Sequence, residues 1–205
     1  ELFEARFNET DQPLTRNELI RAMDNIDVLV PTVTDNIDAE LIAAAPPRLK
    51  LIASYGAGVN HIDLAAAKAK GIMVTNTPGV FTDDTADLTM ALILNVPRRL
   101  GEGHRALRNG EWNGWSPTGM LGHRIGGKTL GIIGLGRIGE AVALRARAFG
   151  MNVVFYDPNL SIGAELSFGF TRAEKLEDRL HAEPAHSGRW RWHLRPNSWR
   201  DLKRL

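Results

Sequence analysis

The chain has 205 residues, of which 43% are hydrophobic and 24% charged, and its 25 Lys and Arg against 24 Asp and Glu leave a formal net charge of +1. That length suits one large or two small globular domains, and the even charge balance points to neither nucleic acid nor a membrane surface. The absence of cysteine excludes a disulfide framework, a thiolate zinc site and a cysteine nucleophile, and it suits a cytoplasmic protein.

No apolar run approaches the roughly 18 residues that a membrane span needs, and the start shows no basic segment followed by an apolar core. The sequence opens at Glu1 rather than Met, in keeping with a fragment or a trimmed product. In chain order, helical patterns alternate with short apolar runs: 16–23, then 26–30, 39–45, 49–53, 62–70 and 72–74. Such alternation predicts a parallel sheet covered on both faces.

Thr82, Asp83 and Asp84 open the next helix, with a hydroxyl for its N-cap and acids in its positive first turn. Ala86, Leu88, Met90, Ala91, Leu92, Ile93 and Leu94 make this helix apolar nearly all round, which predicts that it is buried. Pro97 ends or kinks it, and the pattern resumes over 98–108. Residues 109–117, containing Gly110, Gly114 and Pro117, read as an irregular connection. Two α/β blocks therefore flank a boundary between Pro97 and Lys128.

The second block holds the most informative pattern. Gly134, Gly136 and Gly139 form G-x-G-x-x-G between the apolar run 129–133 and a helical pattern that begins at Arg137. The first glycine permits a tight turn, the second lets the backbone approach a pyrophosphate, and the third lets the helix pack closely on the strand. Unpaired N–H groups at the helix start then bind phosphate. Asp157 closes the next apolar run, 152–156, eighteen residues after the last glycine. Its carboxylate is placed to accept both ribose hydroxyls of an adenosine and to repel a 2'-phosphate. No Arg follows in Pro158-Asn159-Leu160, so the cofactor read here is NAD rather than NADP; a glycine turn that binds nothing is the alternative.

The last segment differs in kind. Residues 160–205 contain one Ile and no Val, against 12 Ile and 10 Val in residues 1–159. No buried parallel strand is expected there. Trp190, Trp192 and Trp199 are interspersed instead with Arg189, Arg191, Arg195 and Arg200. Translation in a wrong reading frame after about residue 160 and a divergent terminal segment both fit, the former better on strand content.

Several separate motifs carry a family resemblance: LKLIASYGAGVNHID at 49–63, GIMVTNTPGV at 71–80, TADL at 85–88 and the glycine loop. Together they resemble the D-isomer-specific 2-hydroxyacid dehydrogenases, most closely the glyoxylate/hydroxypyruvate reductase branch, over residues 14–159. The resemblance implies an α/β protein with a flavodoxin-like substrate domain over residues 1–97, lacking its start. A connecting helix and arm over 98–127 and the first part of a Rossmann NAD-binding domain over 128–159 follow, before the basic tail of 160–205. It further implies an active site between the domains and places a sheet strand over residues 1–7.

In the family, backbone N–H groups of a turn corresponding to Gly56, Ala57, Gly58 and Val59 hold the substrate carboxylate; a strand-to-helix turn without ligand is the alternative. Thr85 would reach the cofactor or simply cap its helix. Arg137 and Ile138 would present backbone N–H groups to the pyrophosphate. Trp112 and Trp115 fall on the family's subunit-contacting arm, as in a homodimer, or else cover their own domain.

The family reduces a small 2-oxo acid by hydride transfer, with a histidine poised by a glutamate as acid and an arginine on the carbonyl and carboxylate. The arginine's Asn-x-x-Arg-Gly segment has no counterpart here, and His181, His186 and His193 lack the context of the acid/base histidine. No catalytic residue is assigned, and the chain is expected to be an inactive fragment of an NAD-dependent reductase. The alternative is a non-enzymatic NAD-binding or protein-interaction module of the same fold. His61 is expected to serve packing, and His104 and His123 to lie on the surface or in connectors. Asp83, Asp84 and Asp87 read as dipole partners rather than metal ligands, and the tail's Arg and Trp are a weak sign of nucleic-acid binding.

Overall fold

Alternating apolar runs and helical patterns become parallel strands and crossover helices in the computed structural model, which describes residues 4–10, 12–175 and 193–194. The chain divides into two units, Glu1–Phe81 and Thr82–Leu205.

In the first unit β1 (Val28–Leu29), β2 (Leu51–Ala53) and β3 (Met73–Thr75) pair in that order, all parallel. Helices α1 (Arg16–Met23), α2 (Ala39–Ala44) and α3 (Leu64–Ala69) each start at a side chain that accepts an otherwise unpaired N–H. Thr15 and Glu18 form a capping box on α1, Asp38 accepts Leu41 N–H at 2.9 Å, and Asp63 accepts Ala66 N–H at 2.9 Å. Beyond the end of α3, Lys70 Nζ donates to the carbonyls of Ile42, Ala43 and Ala45 at the end of α2. Leu19, Met23, Ile37, Leu41, Ile42 and Ile52 fill the core between helices and sheet. Residues 4–7 form no strand, so the described part of the strand expected over 1–7 is absent. Residues 1–3 lie outside the described residues.

In the second unit β4 (Thr129–Ile133) and β5 (Asn152–Tyr156) pair in parallel over five residues, from Thr129 opposite Asn152 to Ile133 opposite Tyr156. Helix α6 (Arg137–Ala148) connects them, and the sheet runs β6-β5-β4-β7 with β6 (Thr171–Arg172) and β7 (His193–Leu194) also parallel. In chain order this is 3-2-1-4, the first four positions of the 3-2-1-4-5-6 order of a dinucleotide-binding sheet. Leu130, Ile132, Val142, Ala143, Ala146 and Phe155 are buried at its centre.

Three expectations change. First, α4 (Thr82–Asn95) contributes Ala86, Met90 and Ile93 to this second core and packs on α6, whereas its sequence position groups it with residues 1–97. Second, α4 is not buried all round: Leu88 is 62% and Leu92 57% exposed, because one stripe of the helix is enough to cover α6 and the sheet. After Pro97, α5 (Leu100–Arg108) resumes the helical path, with no buried residue.

Third, residues 160–205 do supply parallel strands, though β6 is not a buried one: the sheet continues past residue 160 through α7 (Ala164–Phe168) to β6, with Thr171 exposed and Arg172 half-buried. Composition conceals β6 because it is two residues long and held by a charged side chain. Arg172 Nη2 donates to the carbonyls of Leu160 at 3.0 Å and Ser161 at 2.8 Å. Its guanidinium also lies 3.2 Å from Glu165 and 5.5 Å from the centre of the Phe155 ring. Trp190, Trp192, Trp199, Arg189, Arg191, Arg195, Arg200, His181 and His186 lie outside the described residues.

Candidate functional site

The three glycines of the loop after β4 meet three different demands. Gly134 has φ +88°, a left-handed turn that other residues rarely adopt. A Cβ on Gly139 would collide with the Gly134 carbonyl oxygen, so only glycine lets α6 begin this close to the strand. A Cβ on Gly136 would meet nothing within 4 Å: this face of the backbone is open. Gly136 is the N-cap of α6 and among the described residues no side chain caps the helix, which leaves the N–H groups of Arg137 and Ile138 at its positive end to an outside acceptor.

Asp157, half-buried just past β5, holds the loop in place. Its Oδ2 accepts Leu135 N–H at 2.9 Å and its Oδ1 accepts Asn159 N–H at 2.9 Å, while Gly134 N–H donates to the Tyr156 carbonyl at 2.8 Å. The tie to Leu135 is a role that the sequence pattern does not disclose. Each carboxylate oxygen retains a lone pair for a hydroxyl donor. An open glycine, an uncapped helix start and a carboxylate at the next strand end fit the pyrophosphate and adenosine ribose of a dinucleotide.

Thr85 lies exposed in the first two turns of α4, and its carbonyl accepts the Thr89 hydroxyl at 2.7 Å. Arg145 of α6 reaches the same turns, with Nε 2.6 Å from Asp87 and Nη2 3.0 Å from Asp83. Asp83 and then Asp87 hold its guanidinium still more firmly in the charged form. Nothing in local spacing reveals this pair of bonds, which join residues about sixty apart in the chain.

The turn after β2 is built differently. Gly56 is buried, and a Cβ there would press on Val33 Cγ1. Its carbonyl accepts Thr77 N–H at 3.1 Å, and the Ala57 carbonyl accepts the Asn76 side-chain amide at 2.7 Å. Among the described residues no acceptor meets the N–H groups of Ala57, Gly58 or Val59. Beside them is a hollow of about 350 Å³ lined by Val33, Gly58, Asn60 and His61. His61 Nε2 lies 3.4 Å from the hydroxyl of buried Ser54. Burial lowers the ring's pKa below its ordinary value, against an opposing pull from Asp35.

His104 and His123 are exposed. Trp112 and Trp115 are 59% and 85% exposed. Among the described residues no cluster of His, Asp and Glu could hold a metal ion, and no helix is long and apolar enough to cross a membrane.

Residues 1–186 match the family model of the D-isomer specific 2-hydroxyacid dehydrogenase catalytic domain. The chain is similar to a glyoxylate reductase of Thermococcus litoralis, at 48% identity over 75% of this chain and 47% of that protein. Among solved structures it is similar to a glyoxylate reductase from Paecilomyes thermophila, with a TM-score of 0.67 and 35% identity over 77% of this chain and 50% of that one. A D-lactate dehydrogenase from Aquifex aeolicus, crystallised with NAD and lactic acid, gives a TM-score of 0.66 and 33% identity over 78% of this chain and 46% of that one. The chain spans about half the length of the curated relatives it matches.

Proposed function

The chain belongs to the D-isomer specific 2-hydroxyacid dehydrogenase family, and from that premise we propose that it binds NAD and the carboxylate of a small 2-oxo acid. The parental reaction is reduction of glyoxylate or hydroxypyruvate to the 2-hydroxy acid. The observation that carries this reading is the glycine loop: open at Gly136, closed at Gly139 and tied to Asp157.

The nicotinamide of NAD supplies or accepts the hydride when bound. On this chain, backbone N–H groups of Arg137 and Ile138 hold the pyrophosphate, and Asp157 accepts the ribose hydroxyls while its charge excludes a 2'-phosphate. Thr85 adds a hydroxyl at the start of α4. In the first unit, Ala57, Gly58 and Val59 donate N–H groups to the substrate carboxylate, which orients the carbonyl to be reduced. We assign no residue of this chain to the acid, glutamate or arginine roles of the family reaction, so the 205-residue chain is proposed to bind its ligands without turnover, as an NAD-binding module. Homodimerisation is part of the proposal, supported by exposed Leu88, Leu92, Trp112 and Trp115.

Calorimetry with NADH and NADPH tests the reading. NADH is expected to bind at least about tenfold more tightly, since a phosphate beside a carboxylate costs on the order of 1.4 kcal/mol or more. Equal affinities would remove the role of Asp157, and binding of neither would overturn the proposal. NADH oxidation with glyoxylate at ordinary enzyme rates would contradict the absence of turnover.

A further inference from the structure

Beside the turn 56–59, His61 does more than its expected packing role requires. His61 lines the hollow with Gly58 and Asn60, next to the N–H groups of Ala57, Gly58 and Val59, which meet no acceptor among the described residues. One ring nitrogen, Nε2, faces the Ser54 hydroxyl; among the described residues Nδ1 has no hydrogen-bond partner. The ring's backbone is fixed, because the His61 carbonyl accepts Ile37 N–H at 2.8 Å.

We propose that His61 is a positioning residue for the small carboxylate held by this turn, taking up a proton as the anion enters the hollow and supplying the positive charge that the backbone donors lack. This rests on the reading of the turn as a carboxylate site. Three N–H dipoles orient an anion but leave its charge uncompensated, whereas an imidazolium in the same wall compensates it at close range.

The surrounding groups favour a switch of this kind. Asp35, between β1 and α2, is the charged group acting on the ring, and its Oδ2 is occupied by the Thr32 N–H at 2.7 Å and hydroxyl at 3.1 Å. Asp63 is occupied by the cap of α3, and Ser54, at the end of β2, is uncharged. Partial burial disfavours the charged ring; an arriving carboxylate favours it. Binding is therefore coupled to uptake of a proton.

The test is a titration of the labelled 205-residue chain with oxalate, an unreactive stand-in for a 2-oxo acid, followed by NMR at the Ala57, Gly58 and Val59 amides and at the His61 ring. Oxalate should shift the three amides and raise the ring pKa by roughly half a unit to one unit, with affinity roughly threefold to tenfold weaker at high pH than at low pH. In His61→Gln the amide shifts should persist while the pH dependence of affinity disappears. Amide shifts with an unmoved ring pKa would overturn the role of His61 and leave the turn's reading standing. No amide shifts at all would overturn both.

Discussion

Each unit ends a parallel strand in a glycine-containing turn that leads to a helix, yet the two turns expose different things. After β4 the helix follows at once: Gly136 is its N-cap, no side chain among the described residues caps it, and the acid Asp157 takes a loop N–H. After β2 the helix is delayed to Leu64 and Asp63 already satisfies its first turn, while Thr77 and Asn76 hold the turn through its carbonyls. On the proposed function, one design would hold a large, doubly charged group at a helix end. The other would hold a small anion on a few amides. What a turn can bind thus depends on which of its polar groups the protein has already used.

The largest effect that would break this contrast is Gly139→Ala. Its Cβ would collide with the Gly134 carbonyl, which should destabilise the second unit by about 1–3 kcal/mol in urea unfolding and abolish NADH binding, with oxalate binding intact. Asp157→Ala comes next. Loss of a charged acceptor worth about 1.5–3 kcal/mol should weaken NADH roughly tenfold to a hundredfold by calorimetry, again sparing oxalate.

The mirror experiment is Asn76→Ala. It removes the amide bond to the Ala57 carbonyl, costs about 0.5–1.5 kcal/mol of stability, and should weaken oxalate while leaving NADH unchanged.

The smallest effect is on pH. Thr15 lowers the pKa of Glu18 from its ordinary 4.5, and Arg48 and Arg16 lower those of Asp27 and Asp38 from 3.8. All three acids are in the first unit. Because the unfolded chain binds more protons than the fold in this range, their stabilisation is present above the ordinary values and is lost as pH falls through the lowered ones. The charges are exposed and screened, so the loss should be slight. Amide exchange between about pH 5 and 3 should show earlier opening around α1 and α2 than around β4 and β5.

Much of this was legible in the sequence because local chemistry determined it. The start of α1, the bounds of β4 and β5, and the start of α6 follow from a helical pattern, two five-residue apolar runs and a glycine triplet. The short strand β6 was hidden, since Thr171 and Arg172 pair through the backbone and Arg172 is anchored by Glu165 and by carbonyls eleven and twelve residues back. The exposed face of α4 is not legible in the sequence for a similar reason. Periodicity shows that Leu88 and Leu92 are apolar, but burial depends on what covers them. Asn76 on Ala57, Arg145 on Asp83 and Asp87, and Leu135 on Asp157 are long-range bonds with no local signature.

Amide NMR of the one chain with each ligand in turn tests the central claim most directly. NADH should perturb the amides of Leu135, Gly136, Arg137, Ile138 and Gly139, and oxalate those of Ala57, Gly58 and Val59, each at saturating ligand. Either ligand acting on the other's turn, or neither acting on its own, would contradict the account.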